Sequence, residues 1–423
     1  MTDSIHLVDS AEDICRAAAR LRGVSLNKET DPRNVLELFE RWAAALQGNG
    51  VAAIPGVAFL RLWLRQGTLK PILERELGPG SVDGNWREEG QAKLKVFPLG
   101  VVGHWPAGNI EIQPVLSLSC ALLGGNSCLV RVPSRLMEPT DLLMKKLVTV
   151  DRDGILTERI ELVSFDHSRE DLQSALARNV DGAMIWGGQE AVARVRALPF
   201  PHWTRMAVFG PRLSVAAMDA EMWDQPDEVR SWCQRIARDV WQFDQQACSS
   251  PQVLFLERGA SSDIGDFIEE LREAFRKENQ AHPRHELPPA LTSAICQARA
   301  SWLLDNVANQ AWFPQSPDWT ILLGEATDIP KPTQLRTLTV LLVDNLFDAI
   351  EKFDGSVQTL GLAIGDPKKE GALAQAAGRR GVDRIVKLGR MHVFGSPWDA
   401  MDLIRPMVRI VRYVPSQDQI VHH

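Results

Sequence analysis

The spacing of hydrophobic positions changes about ninety residues into this chain. Before Lys93, apolar residues recur at helical spacing and predict helices at Ser10–Arg22, Asp31–Leu46 and Val57–Arg65. After Lys93, short apolar runs alternate with helical segments, and this alternation predicts parallel sheets covered by helices on both faces. The predicted strands are Leu94–Phe97, Gly100–His104, Ser127–Val132, Ile160–Ser164, Gly182–Trp186, Met206–Phe209, Val253–Leu256, Thr337–Val343 and Thr359–Ala363.

Composition narrows the class of protein. The chain has 423 residues, 45% hydrophobic and 24% charged, which is ordinary for a globular protein of two or three domains. A net charge of -7 gives no reason to expect nucleic acid or an anionic membrane as a partner. The longest apolar run, Val115–Leu123, is too short for a transmembrane segment, and the N-terminus lacks a secretion signal. Six cysteines without a CxxC pair are typical of reduced thiols, so we expect a cytoplasmic protein.

One cysteine lies in a polar loop between an amphipathic helix and an apolar strand. The loop reads Gln245-Gln246-Ala247-Cys248-Ser249-Ser250, and the strand follows at Val253. The helix before it starts near Pro226 and places its apolar residues on one stripe: Val229, Trp232, Cys233, Ile236, Val240 and Trp241. Loops between rigid elements often present reactive side chains. Cys248 is therefore the first candidate nucleophile, and the alternative is a small structural thiol near a helix end.

Three other segments have the order of a ligand site. Pro98–Asn109 is a strand that runs into a Pro/Gly loop, Gly125–Ser134 is a strand that ends in a basic residue, and Asp181–Glu190 is a strand, a glycine turn and a helix start. Ligands bind beyond the carboxyl ends of parallel strands, and a glycine-rich helix start favours phosphate. No GxGxxG fingerprint follows a strand, and there is no Walker loop or GxSxG elbow.

With Cys248 downstream, these segments resemble the aldehyde dehydrogenase superfamily. The closer resemblance is to the LuxC-like long-chain acyl-CoA reductases known from bacterial bioluminescence, and it runs from about Leu94 to Tyr413. Gln246-Ala247-Cys248 resembles the Gln-x-Cys nucleophile motif, and the loop that ends at Asn109 resembles the one carrying the oxyanion-stabilising Asn. The resemblance implies an aldehyde dehydrogenase-like α/β fold. It comprises two parallel-sheet domains, a helical N-terminal segment and a C-terminal oligomerisation segment.

The resemblance also implies domain limits and a nicotinamide site. We expect a helical N-terminus plus cofactor domain at 1–212, a catalytic domain at 213–388, and an oligomerisation segment at 389–423. The implied cofactor-binding residues are Trp105, Pro106, Arg131, Ser134, Gly187, Gly188, Phe209 and Gly210. Gly187-Gly188 replaces the family's Gly-Ser, and Arg131 stands where a Lys is common. No metal is expected.

Cofactor choice depends on the residues that follow Val130. Arg131, Ser134 and Arg135 come before the first acid, Glu138. An acid would favour a free ribose 2′-hydroxyl, whereas Arg suits a 2′-phosphate. We therefore expect NADPH, with NADH as the less favoured cofactor.

Two departures from the family sequence indicate whether the enzyme reduces an acyl thioester or oxidises an aldehyde. Val208 stands where oxidising aldehyde dehydrogenases carry the Glu that activates water, and a second family Glu would fall near Pro332 and is missing. Without a general base, hydrolysis of an acyl-enzyme should be slow. We therefore predict NADPH-dependent reduction of an acyl thioester, either acyl-CoA or carrier-bound, to the aldehyde through an acyl-cysteine. The alternatives are a hydrolytic aldehyde dehydrogenase and a non-catalytic scaffold subunit of the family.

The segment from Arg379 to Arg412 is basic, with eight Lys and Arg. One interpretation is a docking surface for an acidic acyl carrier or for CoA phosphates. The other is an ion-paired interface between subunits. The family resemblance favours a homodimer or homotetramer built with C-terminal strands such as Val408–Val414.

Overall fold

The computed structural model describes residues 4–48, 50–223, 226–259, 263–284, 286–325 and 328–415. Up to residue 210 the elements are β1 (Ile5–Leu7), α1 (Ala11–Asn27), α2 (Pro32–Ala45), α3 (Val57–Trp63), α4 (Gln66–Leu77), β2 (Arg87–Glu89), β3 (Ala92–Pro98), β4 (Val101–Trp105), α5 (Gln113–Leu123), β5 (Ser127–Arg131), α6 (Met137–Val150), β6 (Ile160–Ser164), α7 (Glu170–Arg178), β7 (Gly182–Trp186), α8 (Gln189–Arg196) and β8 (Arg205–Phe209). They continue with β9 (Leu213–Met218), α9 (Ala220–Trp223), α10 (Pro226–Trp241), β10 (Pro251–Glu257), α11 (Ile264–Ala281), α12 (Pro289–Asp305), β11 (Gln310–Trp312), β12 (Thr320–Glu325), β13 (Thr337–Val343), α13 (Leu346–Glu351), β14 (Val357–Ala363), α14 (Pro367–Arg379), β15 (Arg384–Lys387) and β16 (Val408–Tyr413).

The described chain divides into two compact units. The first comprises residues up to Gly210 together with those from Phe394 onward, and the second comprises Pro211–Val393. The C-terminal residues therefore group with the N-terminal part of the chain. None of the described helices is long and apolar enough to cross a membrane.

The first unit contains a six-stranded parallel sheet in the order β1-β6-β5-β4-β7-β8. Helix α5 carries the longest apolar run of the sequence, and every residue from Pro114 to Leu123 is buried. A three-stranded antiparallel sheet, β16-β3-β2, pairs the C-terminal strand with β3. The buried carboxylate of Glu76 holds the segment before β16. It accepts hydrogen bonds from the backbone N–H groups of Leu403, Ile404 and Arg405.

The second unit contains a seven-stranded sheet in the order β11-β12-β13-β10-β9-β14-β15, parallel except for the antiparallel edge strand β11. Helices cover both faces of this sheet. On one face the predicted stripe of α10 is buried against Leu254, Val340 and residues of α11, including Phe267 and Leu271. On the other face, α13 and α14 pack against β10 and β14 through a second cluster.

The predicted fold is confirmed. All nine predicted strands and the three predicted N-terminal helices exist, and the bounds of Ile160–Ser164, Gly182–Trp186 and Thr337–Val343 agree. The expectation of helices alone before Lys93 was wrong in part, because β1 adds an edge strand to the first sheet and β2 pairs with β3. Helix α4 in the same region was not predicted.

Candidate active site

Cys248 lies in the loop that joins a short 3-10 turn, Gln242–Gln245, to β10. Three consecutive residues of this turn, Phe243, Asp244 and Gln245, have positive φ angles of 56°, 53° and 59°. A left-handed backbone costs a non-glycine residue roughly 1–2 kcal/mol, so three in a row require contacts that hold them. The side chains of Asp244 and Gln245 supply those contacts.

Gln245 holds the loop of residues 246–250, which contains Cys248 and which we call the nucleophile loop, against two neighbouring strands. Its side chain is fully buried and donates from Nε2 to the carbonyls of Pro251 and Thr337, at 2.8 and 2.9 Å. Its Oε1 accepts the backbone N–H of Thr337 at 2.7 Å. The amide therefore joins the amino ends of β10 and β13 before the ladder between these two strands begins at Val253 and Thr339.

Asp244 anchors the same turn through two arginines from distant parts of the chain. Arg336 Nε donates to Asp244 Oδ1 at 2.6 Å, and Arg284 Nη2 donates to the same oxygen at 2.9 Å. Both arginine side chains are almost fully buried, and the Arg336 guanidinium also lies 4.7 Å from the ring centre of Trp241. A charge pair with this little solvent around it fixes geometry more firmly than a surface pair.

Cys248 differs in exposure from the other five cysteines. Its residue is half-buried, whereas Cys15 and Cys296 are exposed and Cys120, Cys128 and Cys233 are buried. Burial raises the pKa of those three buried thiols. They are therefore poor sources of thiolate, which is the nucleophilic form. The Cys248 carbonyl accepts a 2.6 Å hydrogen bond from Ser214 Oγ on β9, which fixes the backbone at the thiol.

The residue after Cys248 contacts a buried histidine. Ser249 Oγ lies 3.0 Å from His392 Nδ1, and His392 Nε2 lies 2.7 Å from the carbonyl oxygen of Asp239 on α10. A carbonyl can only accept, so Nε2 carries the proton and Nδ1 accepts from the Ser249 hydroxyl. Burial lowers the pKa of His392 to about 4, so the ring is neutral at physiological pH. His392 therefore acts as a permanent acceptor beside the nucleophile loop.

Asp239 completes this arrangement at the end of α10. Its Oδ2 accepts the backbone N–H of Gly389 at 2.6 Å, and its carbonyl accepts from His392. Burial raises the pKa of the Asp239 carboxyl to about 7. Asp239 thus ties the segment from Gly389 to His392 to α10, because its carboxylate and its backbone carbonyl each accept a hydrogen bond from that segment.

Asn109 lies in the first unit, in a turn that follows β4. It is half-buried, and the backbone of its loop is fastened where Ala107 N–H donates to Gln113 Oε1 at 2.7 Å. Trp105, at the end of β4, is buried, and its indole N–H donates to Gln173. Pro106 is buried at the start of the loop.

Four of the expected cofactor residues lie around the ends of β7 and β8. The N–H of Gly187 donates to the carbonyl of Phe209 at 3.1 Å, and Trp186 stacks on the Phe209 ring with 3.7 Å between centres. Gly188 precedes α8 without a side-chain cap, and a Cβ built there would meet nothing within 4 Å. Gly210 is equally open. The first turn of α8 therefore presents backbone N–H groups beside open space, which suits an anion.

Arg131 ends β5 and lies over the Phe165 ring, with 5.5 Å from Cζ to the ring centre. Its Nε is buried and has no hydrogen-bond partner among the described residues. Burial lowers the pKa of Arg131, and the charge of Asp166, a nearby acid that follows the neighbouring strand β6, opposes part of this shift. Ser134 is exposed at the next turn. The sequence placed the nearest acid at Glu138 because Asp166 is close only in space.

The positions that lack the two family glutamates are also described. Val208 lies in β8 and is half-buried, and the residues around Pro332 form an irregular segment before β13. Neither position supplies a carboxylate.

Several residues of this region were missed by sequence reasoning, namely Ser214, Ser249, Arg284, Arg336 and His392. Their contacts join parts of the chain up to 153 residues apart. Only the polar character of the loop after Gln245 could have indicated Ser249, and nothing in the sequence pattern singles out the others.

Comparison with known proteins identifies the family. Residues 12–413 match the family described as acyl-CoA reductase (LuxC). Because this match spans nearly the whole chain, the chain belongs to that family.

Similar proteins include long-chain acyl-protein thioester reductase 2 of Photobacterium leiognathi, 25% identical over 355 residues that cover 82% of this chain and 70% of that protein. The long-chain acyl-protein thioester reductase of Vibrio harveyi is also 25% identical, over 357 residues that cover 82% of this chain and 71% of that protein.

Solved structures show the fold. An NADP dependent enzyme of E. coli has a TM-score of 0.70 at 12% identity, covering 95% of this chain and 90% of that one. An aldehyde dehydrogenase of Physcomitrella patens has a TM-score of 0.68 at 13% identity, covering 96% and 91%. The chain therefore has the aldehyde dehydrogenase fold within a family of acyl reductases.

Proposed function

We propose that this chain reduces an acyl thioester, acyl-CoA or carrier-bound, to the aldehyde with NADPH through an acyl group carried on Cys248. Cys248 carries the proposal, because it is a half-buried thiol on a loop held by Ser214, Gln245 and Asp244. The names of the relatives, which describe long-chain acyl-protein thioester reductases, support the substrate class.

The first unit fits a phosphate-bearing nicotinamide cofactor. The open space at Gly188 and the uncapped first turn of α8 suit its diphosphate. The buried Nε of Arg131 is a donor without a hydrogen-bond partner among the described residues, and an additional phosphate would satisfy it. A bound nicotinamide would supply the hydride that reduces the acyl carbon.

NADPH is preferred in this proposal because the Arg131 guanidinium, which lies over the Phe165 ring, would suit a 2′-phosphate. Asp166 offsets part of that charge, so the preference should be moderate. NADH is the less favoured cofactor.

In the proposed mechanism, the Cys248 thiolate attacks the acyl carbonyl, and the carbon–sulfur bond to the donor breaks so that the donor leaves as its thiolate. One thioester is exchanged for another, so the step needs alignment more than driving force. The side-chain amide of Asn109 and the backbone N–H of Cys248 are proposed to donate to the oxyanion, and one such donor is typically worth about 3–4 kcal/mol. After reduction, the Cys248 sulfur leaves as the aldehyde carbonyl forms.

Val208 supports release by reduction rather than by water. A valine cannot accept a proton, so no side chain at this position activates water against the acyl-enzyme. The acyl group would then stay on Cys248 until reduction. A hydrolytic aldehyde dehydrogenase requires an acceptor at or near this position.

The oligomeric state and the cellular location that we propose are based on composition and family. We propose a homodimer or homotetramer in the cytoplasm, consistent with few cysteines and no basic excess for nucleic acid. The β16-β3-β2 sheet is the proposed assembly surface, since Arg409, Arg412 and Tyr413 of β16 are exposed.

The test is NADPH consumption with acyl-CoAs from short to long chain, trapping the aldehyde, beside Cys248→Ala. We expect aldehyde that depends on Cys248 and on chain length. Oxidation of aldehydes to acids with water as acceptor would favour the hydrolytic alternative. Failure to bind either nicotinamide cofactor would favour a scaffold subunit.

A further inference from the structure

The basic segment that starts at Arg379 is divided by the structure. Arg405, Arg409 and Arg412 belong to the first unit, whereas the segment from Arg379 to Arg390 belongs to the second. Within the second unit, Arg384 is half-buried and donates to the carbonyls of Met391 and Val393. The remaining cations of this segment are exposed, at both ends of β15.

One of these cations, Lys387, shares the ring of Trp232 with Arg235 of α10 at the carboxyl end of β15. Lys387 Nζ and Arg235 Cζ lie 5.7 and 4.5 Å from the ring centre of Trp232, and a Cβ on Gly389 would lie 2.8 Å from the Arg235 side chain. Arg390 follows Gly389 and is exposed. We call Arg235, Lys387 and Arg390 the cationic patch.

The cationic patch has no acidic counterpart among the described residues, because none of its three side chains forms an ion pair there. Other cations of this unit do, as in Arg230–Glu270 at 3.1 Å and Arg258–Glu325 at 2.7 Å. The nearby Asp239 is buried and already accepts from Gly389. Cations that neighbour one another on the surface and form no ion pair favour an external anionic group.

The cationic patch is connected to the nucleophile loop within the same unit. Arg390 precedes Met391 and His392, and His392 contacts Ser249, the neighbour of Cys248. Adding the chain steps and the side-chain contact, the Cα atoms of Arg390 and Cys248 are at most about 20 Å apart. An acyl thioester on a flexible arm could therefore reach Cys248 while its carrier rests on the patch.

We propose that the cationic patch docks the acidic face of the protein that delivers the acyl thioester. This inference rests on the proposed function and extends it to the substrate's carrier. Lys387 and Arg390 are exposed, Arg235 of α10 is half-buried beside them, and the family relatives are named for acyl-protein substrates. A charged docking surface mainly raises the rate at which the two proteins associate. This effect should weaken with added salt, because salt at 0.1 M screens charges over a length of about 10 Å.

The test compares two double charge reversals. Lys387→Glu with Arg390→Glu changes the cationic patch, and Arg379→Glu with Arg380→Glu is the matched control, since both are exposed cations at the other end of β15. Each variant is assayed with one long-chain acyl group on an acidic acyl carrier protein, on CoA and on N-acetylcysteamine. The readout is kcat/KM for the carrier substrate divided by kcat/KM for the N-acetylcysteamine thioester.

We expect the patch variant to lower this ratio at least tenfold and the control variant to change it less than twofold. Raising the salt concentration from 0.05 to 0.5 M should lower the ratio only when the cationic patch is intact. An unchanged ratio would overturn the inference, as would an equal loss with acyl-CoA, which would assign the patch to CoA phosphates. A change in oligomeric mass would assign it to an interface between copies. If the wild-type chain reduces none of the three thioesters, the proposed function itself fails.

Discussion

The contact between Ser249 and His392 allows a direct test of whether the nucleophile loop is held for catalysis. Ser249→Ala removes the hydroxyl that donates to His392 Nδ1 at 3.0 Å. Both residues are buried, with 4% and 5% of their surface exposed, so water cannot easily replace the lost hydrogen bond. Removing one partner of a buried hydrogen bond costs about 1–3 kcal/mol.

The magnitude of the rate effect follows if the loop must keep this geometry in the transition state. At about 1.4 kcal/mol for each tenfold change, Ser249→Ala should lower kcat by about 5- to 150-fold. KM should change little, because neither side chain is proposed to touch the acyl chain. The pH profile should keep its shape between pH 6 and 9, since the pKa of His392 is about 4 and the ring stays neutral there.

The assay is a double-mutant cycle of Ser249→Ala and His392→Gln, with kcat, KM and the rate of Cys248 alkylation by iodoacetamide. Ser231→Ala, at an exposed position of α10, is the control. We expect the double variant to be hardly worse than the poorer single variant, with a coupling of at least about 1 kcal/mol. Strictly additive losses, or a loss of thermal stability with kcat intact, would refute the proposed role of the contact.

Three further predictions concern the first unit. Arg131→Glu should raise KM for NADPH at least tenfold more than KM for NADH, and equal effects in steady-state kinetics would remove the argument for a 2′-phosphate site. Burial lowers the pKa of His104 to about 3 against an ordinary value near 6.5, so its contribution to stability is present above pH 6.5 and is lost as pH falls toward 3. Between pH 7 and pH 5, the unfolding free energy of wild type, measured by urea titration, should therefore fall by about 2 kcal/mol more than that of His104→Gln. An equal fall in both proteins would contradict the lowered pKa of His104. Glu76→Gln leaves one oxygen to accept from the backbone N–H groups of 403–405 and should destabilise that segment by about 2–4 kcal/mol, seen as faster amide exchange there and not in α10.

The parallel-sheet fold was predictable where the strands are apolar and bounded by turns. Strands β13 and β14 fulfil both conditions and were predicted. The central strand β9 was missed because Leu213–Met218 is rich in small residues, which have little strand propensity. Strand β15 has four residues, too few for a pattern. Helix α6 begins with a Pro at its third position, which hid its start.

The candidate site likewise has residues that the sequence could predict and contacts that it could not. Cys248 and Asn109 were predicted because each lies in a local motif that the family resemblance explains, and their roles stay predictions. The contacts that hold the Cys248 loop were not predictable, because His392 and Arg336 come from segments far along the chain. Spatial neighbours of this kind have no periodicity or spacing to reveal them. Asp166 beside Arg131 is the same case in the first unit.

Trapping the acyl-enzyme shows whether Cys248 carries the acyl group. The protein is incubated with a long-chain acyl-CoA in the absence of a nicotinamide cofactor, and the intact mass and the peptides are measured. We expect one acyl group on the peptide that contains Cys248, released as aldehyde when NADPH is added, and no label on Cys248→Ala. Acylation at another residue, or aldehyde formation by Cys248→Ala at the wild-type rate, would contradict it.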